Sequence, residues 1–204
     1  DIRPDTMNLN EELIEDALTP NTKAIVPVHY GGISCNMGKI LEIARKNNLI
    51  VIEDAAQGIC SNYKNQPLGS IGQLGCLSFH ETKNIHSGEG GALLINDENL
   101  IERAEIIREK GTDRSRFFRG QIDKYNWIDL GSSYLPGELI AAFLFAQLEN
   151  AEKITYERLS IWQRYHELFE ELEKKGKVQR PSIHKDSTGN GHIYYLLLDN
   201  RYSR

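Results

Sequence analysis

Lys83 is the residue of this chain whose sequence surroundings best suit a nucleophile. It follows an apolar run over residues 74–79, which is typical of a buried strand, and it precedes Gly88-Glu89-Gly90-Gly91. An ammonium group between apolar flanks is poorly solvated, which makes the neutral amine available for attack. The glycines allow the backbone to approach a flat ring or a phosphate. The alternative is a solvated surface lysine beside a strand, and the stretch taken alone favours that alternative.

Asp54 and Ser78 could form a site together with Lys83. Asp54 follows the apolar run 49–52 and a second acid, Glu53, at a position where a carboxylate is costly unless a cation is near. Ser78 lies five residues before Lys83. These three groups are the ones that hold pyridoxal phosphate (PLP): an amine binds it covalently, a carboxylate pairs with its ring nitrogen and a hydroxyl contacts its phosphate. On spacing alone, a structural ion pair between Asp54 and Lys83 is the more frequent arrangement.

The apolar runs predict a parallel sheet that would bring these side chains together. Residues 24–28 and 49–52 predict buried strands, and Asn36 begins a helix between them. Strand, helix and strand within about 30 residues form a βαβ unit, which places the strands parallel. Ligands bind beyond the carboxyl ends of such strands. The residues at these ends are His29 and Asp54, and both a structural and a substrate-contacting role stay open for His29.

The remainder of the chain predicts mostly helices. A short helix capped by Asn8 or Asn10 precedes the first strand, and Asp97 caps a helix that ends at Gly111. Longer helices are predicted over residues 139–148 and 152–175, and further strands over 92–95 and 192–198.

Residues 112–122 predict a long polar loop that carries three arginines, Arg114, Arg116 and Arg119. Long ordered loops tend to be functional, and guanidinium groups bind phosphate oxygens in a bidentate manner. The loop and its arginines could therefore contact a ligand. An equally weighted alternative is a solvated loop whose phenylalanines pack on the body of the protein. A further alternative is that the arginines are solvated and offset local acids such as Asp113 and Asp123.

Three motifs in this order resemble a known family. EDAAQ at 53–57, SFHETKN at 78–84 and GEGGAL at 88–93 are similar to motifs of the DegT/DnrJ/EryC1/StrS sugar aminotransferases, and the similarity extends from VPVHYGG at 26–32 onward. It implies an α/β fold of the aspartate-aminotransferase type (fold type I). Residues 1–150 would be part of the PLP-binding large domain, and residues 151–204 the interdomain helix and the start of a small domain. A homodimer with shared active sites is also implied.

The resemblance assigns a role to each candidate site residue. Lys83 holds PLP covalently and moves the proton, and Asp54 pairs with the nitrogen of the pyridine ring. Gln57 lies beside the ring, and Ser78 contacts the phosphate. Ser133 stands where many members have an asparagine that reaches the phosphate in the neighbouring subunit. That contact would here be made by a shorter hydroxyl or through a water molecule.

The segment 108–139 narrows the resemblance to members that act on dTDP-linked sugars. The implied reaction moves an amino group from an amino acid, L-glutamate by family precedent, to C4 of a dTDP-linked 4-keto-6-deoxy sugar. His29, His192 and the three arginines are the candidate substrate contacts. Two alternatives remain. One is a pyridoxamine-phosphate-dependent sugar dehydratase, in which histidine usually replaces the lysine, and the other is a non-catalytic scaffold or regulatory protein with this fold.

Composition restricts the partners. With 24 basic and 29 acidic residues the net charge is −5, which argues against nucleic acid as a partner. The apolar runs are too short to span a membrane, so we expect no membrane partner. Three cysteines without paired spacing indicate reduced thiols and no metal site, as in a cytoplasmic protein. Both ends of the chain adjoin strand-like runs, so we expect a fragment that is inactive alone.

Overall fold

A sheet with helices packed on it forms the centre of the computed structural model, which describes residues 1–198. The strands are β1 (Ala24–Ile25), β2 (Ile50–Asp54), β3 (Asn62–Tyr63), β4 (Gln66–Pro67), β5 (Leu74–Ser78), β6 (Gly91–Ile95), β7 (Val178–Gln179), β8 (Ser187–Thr188) and β9 (Leu197–Leu198). The α-helices are α1 (Ile14–Ala17), α2 (Met37–Lys46), α3 (Ile101–Arg108), α4 (Arg114–Phe118), α5 (Glu138–Glu149), α6 (Ala151–Leu168) and α7 (Glu170–Lys174).

The predicted βαβ unit is confirmed. β1 and β2 pair in parallel, and α2 connects them. The side chain of Asn36 accepts a hydrogen bond from the Lys39 N–H and so caps α2. Ile40 and Ile43 bury the inner face of α2 against the sheet, which explains why the apolar spacing of this segment predicted a helix correctly.

The main sheet has the strand order β1-β2-β5-β6. β2 and β5 run parallel, with Asp54 opposite Cys76, whereas β6 returns antiparallel to β5, with Gly91 opposite Ser78. The carboxyl ends of β2 and β5 and the start of β6 therefore meet at one edge. Residues 79–90, called the lysine loop below, connect β5 to β6 at this edge.

Several predicted elements differ in extent from the observed ones. The first strand covers only two residues of the predicted five, because Pro27 has no N–H to donate, and Val26 is 56% exposed instead of buried on both faces. The predicted loop 112–122 contains the helix α4. The long helix predicted over 152–175 is interrupted at Phe169, between α6 and α7. Of the strand predicted over 192–198, only β9 forms.

The segment after α7 returns to the body of the protein. β8 pairs with β3 to extend the small sheet β4-β3-β8, and α6 contacts residues 191–193 through Arg158 and Trp162. Within residues 1–198, no helix combines the length and apolarity needed to cross a membrane. The same residues hold no cluster of three or more side chains suited to a metal ion.

Candidate active site

Asp54 and Ser78 are the last residues of two neighbouring parallel strands, β2 and β5. Asp54 Oδ1 accepts a hydrogen bond from the Ala56 N–H at 3.0 Å, which fixes the carboxyl group beside the turn that follows β2. Ser78 Oγ accepts a hydrogen bond from the His80 N–H at 3.3 Å. Each side chain is thus oriented by the backbone immediately after its strand, and both lie at the edge where β5 leads into the lysine loop.

The lysine loop is held in shape by its own backbone. The Phe79 and Glu81 N–H groups donate to the carbonyls of Gly90 and Gly88, each at 2.8 Å, and the Lys83 N–H donates to the His80 carbonyl at 2.9 Å. Gly88 has φ +81°, a conformation that glycine adopts without strain. The loop is thereby a compact turn that presents a partly buried Lys83.

The structural ion pair between Asp54 and Lys83 does not form. Within the part of the chain that the structure describes, neither side chain has an oppositely charged partner within 4 Å. Two partly buried charged groups at the same edge of the sheet therefore have no oppositely charged partner among residues 1–198. Groups of this kind are candidates for contacts with a ligand.

Gln57 lies in the turn after β2. Its side-chain Oε1 accepts a hydrogen bond from the Gly31 N–H at 2.6 Å, and Gly31 belongs to the turn that follows β1. This contact orients the side-chain amide and leaves its N–H₂ group without a hydrogen-bond partner among residues 1–198. The ends of β1, β2 and β5 thus all contribute to the site.

The donor set fits PLP. The unpaired Asp54 carboxylate can accept a hydrogen bond from a protonated ring nitrogen, and the unpaired Lys83 amine can hold the aldehyde carbon. Gln57 and Ser78 offer an amide and a hydroxyl for the ring oxygen and the phosphate. These assignments remain proposals about individual residues.

His29 belongs to the core, which corrects the expectation that it contacts substrate. It is fully buried, and the Cys35 N–H donates to its Nδ1 at 3.1 Å. Nε2 therefore carries the proton and donates to Glu53 Oε2 at 2.9 Å. Both ring nitrogens are occupied by protein groups, so none remains for a ligand.

Glu53, on β2, connects the main sheet by hydrogen bonds to residues 69–72, the segment before β5. Its carboxylate is fully buried and accepts hydrogen bonds from His29 and from the N–H groups of Gly69, Ile71 and Gly72, at 2.6–2.9 Å. Burial alone would raise the pKa of Glu53, but these hydrogen bonds outweigh it, so the pKa lies below its usual value. Glu53 is consequently a structural anion beneath the site.

His192 lies beside the lysine loop. Its Nδ1 is 2.8 Å from Oδ1 of Asn84, the residue that follows Lys83, and because that oxygen only accepts, Nδ1 carries the proton. Burial, and then the positive charges of Lys83 and Arg158, lower the pKa of His192 to about 4. The imidazole is thus neutral at physiological pH. It adjoins the residue expected to bind the cofactor, and its contact with a substrate remains a proposal.

Two of the three arginines form ion pairs with helix α3 and do not take the expected role of substrate contacts. Arg116 and Arg119 form ion pairs with Glu102 and Glu105, the former at 3.7 Å. The structure therefore favours the alternative in which these arginines offset local acids, although the acids are not Asp113 and Asp123.

Arg114 differs from its neighbours on α4, because its guanidinium lies over the ring of Phe118 at 4.9 Å. Its Nε is 3.9 Å from Glu109 Oε2, and each of these buried atoms lacks a hydrogen-bond partner within residues 1–198. Arg114 and Ser133 line the same cavity of about 160 Å³, with Tyr125 and Trp127 in its wall. Arg114 thus adjoins a space that a ligand could enter.

Asn84 and Asn190 are the site residues that sequence patterns missed. Asn190 is fully buried and lies between two glycines, a pattern that indicates a turn and does not reveal the long-range contacts of the side chain. Asn84 is part of the SFHETKN motif, but its side chain also bonds only to residues more than 100 positions away.

The chain is similar to known proteins along nearly its whole length. An uncharacterized protein, MJ1066, of Methanocaldococcus jannaschii is 40% identical over 98% of this chain. The spore coat polysaccharide biosynthesis protein SpsC of Bacillus subtilis is 34% identical over 98%, and the GDP-perosamine synthase of Caulobacter vibrioides is 35% identical over 95%. The chain spans about half the length of these relatives: 52%, 52% and 49%.

Solved structures confirm the predicted aminotransferase fold. A DegT DnrJ EryC1 StrS aminotransferase from Brucella abortus matches with a TM-score of 0.84 and 28% identity, over 98% of this chain and 52% of that one. A putative sugar aminotransferase from Streptococcus pneumoniae, solved in a PLP form, matches with a TM-score of 0.84 and 22% identity, over 98% of this chain and 54% of that one. The same protein was also solved in a PMP form.

The family model for the DegT/DnrJ/EryC1/StrS aminotransferase family matches residues 1–203. PLP, the cofactor expected from the sequence, is the cofactor of this family. This match over nearly the whole sequence shows that the chain belongs to the DegT/DnrJ/EryC1/StrS aminotransferase family.

Proposed function

We propose that the protein containing this chain is a PLP-dependent sugar-nucleotide transaminase. It transfers an amino group from L-glutamate to C4 of dTDP-4-dehydro-6-deoxy-D-glucose, which gives dTDP-4-amino-4,6-dideoxy-D-galactose. The observation that carries the proposal is that Asp54, at the end of β2, and Lys83, in the loop after the neighbouring strand β5, have no oppositely charged partner among residues 1–198. Membership of an aminotransferase family supports the reaction class.

The residues of this chain would divide the chemistry as follows. PLP, when bound, supplies a conjugated ring that takes up electrons from the carbon next to the transferred nitrogen. Asp54 keeps the ring nitrogen protonated, which maintains that capacity. Lys83 holds the cofactor, and its released amine takes the proton from the α-carbon of the donor and delivers a proton to C4 of the sugar. Ser78 and Gln57 orient the ring so that Lys83 faces the reacting carbon.

The identity of the sugar is supported by one segment of the sequence. Residues 108–139 closely resemble the bacterial dTDP-4-amino-4,6-dideoxygalactose transaminase of enterobacterial common antigen synthesis. The relative from Caulobacter vibrioides carries the name of a GDP-perosamine synthase, so a GDP-linked keto sugar is the natural competitor. Which nucleotide the protein accepts therefore forms part of the test.

Two other functions are less well supported. A sugar dehydratase of this family usually has histidine in place of the lysine, whereas this chain retains Lys83. A non-catalytic scaffold would have no need for unpaired charges at Asp54 and Lys83, since such groups cost free energy unless a ligand compensates them.

We also propose that the protein is a cytoplasmic homodimer with shared active sites. Exposed apolar side chains support a partner surface on this chain: Trp127 is 79% and Leu139 is 88% exposed. Ser133, on the same segment as these residues, would reach the phosphate of the cofactor in the neighbouring subunit.

The deciding experiment uses the complete protein loaded with PLP. It would be incubated with L-glutamate and either a dTDP-linked or a GDP-linked 4-keto-6-deoxy sugar, and the products would be identified by mass spectrometry and NMR. We expect amino transfer to C4 of the dTDP-linked sugar. Amino transfer to the GDP-linked sugar alone would contradict the proposed substrate, and the absence of transfer to either sugar would contradict the proposed reaction.

A further inference from the structure

We propose that Asn190 is a positioning residue of the candidate active site. Through its hydrogen bonds it fixes the turn that carries Gln57 and the loop that carries Lys83 against each other. The inference rests on the proposed function for its kinetic consequence, but its structural part concerns only contacts within this chain. We call the four residues Asn190, Asn84, Gln57 and His192 the asparagine clasp.

Asn190 bonds to the Gln57 turn with both hydrogens of its side-chain amide. Nδ2 donates to the carbonyl of Gln57 at 2.7 Å and to the carbonyl of Ile59 at 2.8 Å. Its Oδ1 accepts a hydrogen bond from the His192 N–H at 3.0 Å. Asn190 is fully buried, so losing any of these bonds would leave a buried polar group unsatisfied. One side chain consequently holds the turn at two of its carbonyls, those of residues 57 and 59.

The shape of the neighbouring turn allows this approach. Gly32 has φ +76°, and a Cβ at this position would overlap the Asn190 side chain and lie 2.9 Å from the Gln57 carbonyl. The preceding glycine, Gly31, donates its N–H to Gln57 Oε1. Gln57 is therefore hydrogen-bonded at two places: its backbone carbonyl accepts from Asn190, and its side chain accepts from the Gly31 N–H.

Asn84 connects the clasp to the lysine loop. It follows Lys83 directly, is buried, and donates from Nδ2 to the Asn190 carbonyl at 2.9 Å. Its Oδ1 accepts from His192 Nδ1 at 2.8 Å. Both ends of the Asn84 side-chain amide are bound by residues 190 and 192. The backbone that carries Lys83 therefore cannot shift independently of residues 190–192.

Arg158 anchors the clasp to helix α6. Its Nε and Nη2 donate to the carbonyls of Gly191 and His192, at 3.2 and 2.9 Å. Gly191, with φ +65°, passes so close to the helix that a Cβ would lie 2.9 Å from the Arg158 backbone. The positions of Lys83 and Gln57 thus depend on a helix that starts 68 residues after Lys83 in the sequence.

The test compares Asn190→Ala with Asn8→Ala in the complete protein. Asn8 is a matched control because it is also buried, also donates two hydrogen bonds to main-chain carbonyls and also accepts one from a main-chain N–H. Its partners are Tyr30, Ile33 and Ser34 and not the lysine loop. Both variants should lower the melting temperature, since both lose three buried hydrogen bonds.

Only Asn190→Ala should change the site itself. We expect kcat to fall on the order of 10²-fold through misplacement of Lys83. We also expect the NMR titration of the His192 ring, which needs neither cofactor nor substrate, to move from about 4 toward the ordinary value. If kcat stays within about twofold of the Asn8→Ala value and the His192 titration is unchanged, Asn190 is structural and the proposal is wrong.

A second pair of variants covers the case in which Asn190→Ala does not fold. His192→Phe keeps a ring but removes the donor to Asn84, whereas His192→Asn can place an amide N–H near the position of Nδ1. We expect lower kcat in the first and recovery in the second, and equal kcat in both would overturn the clasp. If the unaltered protein transfers no amino group, the rate at which PLP labels Lys83 still tests the clasp separately from the proposed reaction. We expect this labelling to be slower in His192→Phe than in His192→Asn.

Discussion

Asp54 ends β2 and Lys83 lies in the lysine loop after the neighbouring strand β5, yet within residues 1–198 these opposite charges do not pair with each other or with another side chain. A protein surface tolerates such groups easily, but both are partly buried, where charged groups are normally compensated. A bound cofactor with a ring nitrogen and an aldehyde would compensate both.

Lys83 should be the residue that PLP modifies. Reduction of the PLP-loaded complete protein with borohydride should fix a pyridoxyl group on the peptide that contains Lys83, as measured by mass spectrometry. Lys83→Ala should abolish turnover, whereas Lys64→Ala should keep both the label and the activity. A label on Lys64 or Lys110 would contradict the assignment.

Asp54→Asn should separate cofactor binding from catalysis. The substitution removes the charge that keeps the ring nitrogen protonated, and leaves Lys83 in place. We expect PLP to remain bound and the rate of transamination to fall by several orders of magnitude, measured by single-turnover kinetics. Asp16→Asn, an exposed acid on α1, is the control. A loss smaller than about tenfold, ~1.4 kcal/mol of transition-state stabilisation, would show that Asp54 is only structural.

In α4 and β2, neighbouring charged side chains point to different surroundings and therefore have different roles. α4 directs Arg116 and Arg119 toward acids of α3, whereas Arg114 lies at the cavity that Ser133 also lines. β2 ends in two acids, and the alternation of a strand sends Glu53 into the core and Asp54 to the site.

Arg114 should be the arginine that contacts the substrate. A diphosphate contact remote from C4 provides binding energy, so Arg114→Ala should weaken kcat/KM for the sugar nucleotide by about 1.5–3 kcal/mol. The half-reaction with the amino donor should stay unchanged. Arg116→Ala and Arg119→Ala, which lose only exposed ion pairs, are the controls and should alter kcat/KM little. Normal kinetics for Arg114→Ala would exclude a role in substrate binding.

Glu53 should make the stability of the protein depend on pH. The pKa of Glu53 is lower in the folded protein than its usual value of 4.5, so the stabilisation is complete above pH 4.5 and is lost as the pH falls through the folded-state pKa. Urea unfolding measured at decreasing pH should show this loss. Glu53→Gln should cost roughly 3 kcal/mol at pH 7 and flatten the profile, because an amide N–H₂ would face donors. Glu12→Gln, on the surface, should have neither effect.

At the scale of the whole molecule, this chain exposes much apolar surface. Leu130, Leu139 and Phe145 are 64–88% exposed, and the chain spans about half the length of its relatives. Large exposed apolar patches in a globular protein mark interaction surfaces or lead to aggregation. The remaining part of the protein and a second subunit are the proposed partners of this surface.

Residues 1–204 expressed alone should aggregate or bind PLP poorly. Light scattering coupled to size-exclusion chromatography would report the aggregation, and absorbance during a PLP titration would report the binding. The complete protein at the same concentration is the control, and should be soluble with saturable cofactor binding. A soluble monomer of residues 1–204 with the same PLP affinity as the complete protein would contradict this expectation.

Local patterns in the sequence determined the βαβ unit, its helix cap at Asn36, the positions of Asp54 and Ser78 at strand ends and that of Lys83 in the loop after β5. These features depend on residues within a few positions of each other, so apolar periodicity and capping chemistry are sufficient to predict them. The order of three motifs was likewise enough to identify the family, which the family model confirmed.

Only the tertiary structure decided how the side chains around these positions are used. The bonds from Asn190 to Gln57 and from Asn84 to Asn190 join residues 133 and 106 positions apart. The pairing of His29 with Glu53 and of Arg119 with Glu105 likewise depends on which strands and helices become neighbours. A periodic pattern reports which face of an element is apolar, but a polar side chain bonds to whatever group folding brings within about 3 Å, and that partner is set by the packing of the whole chain.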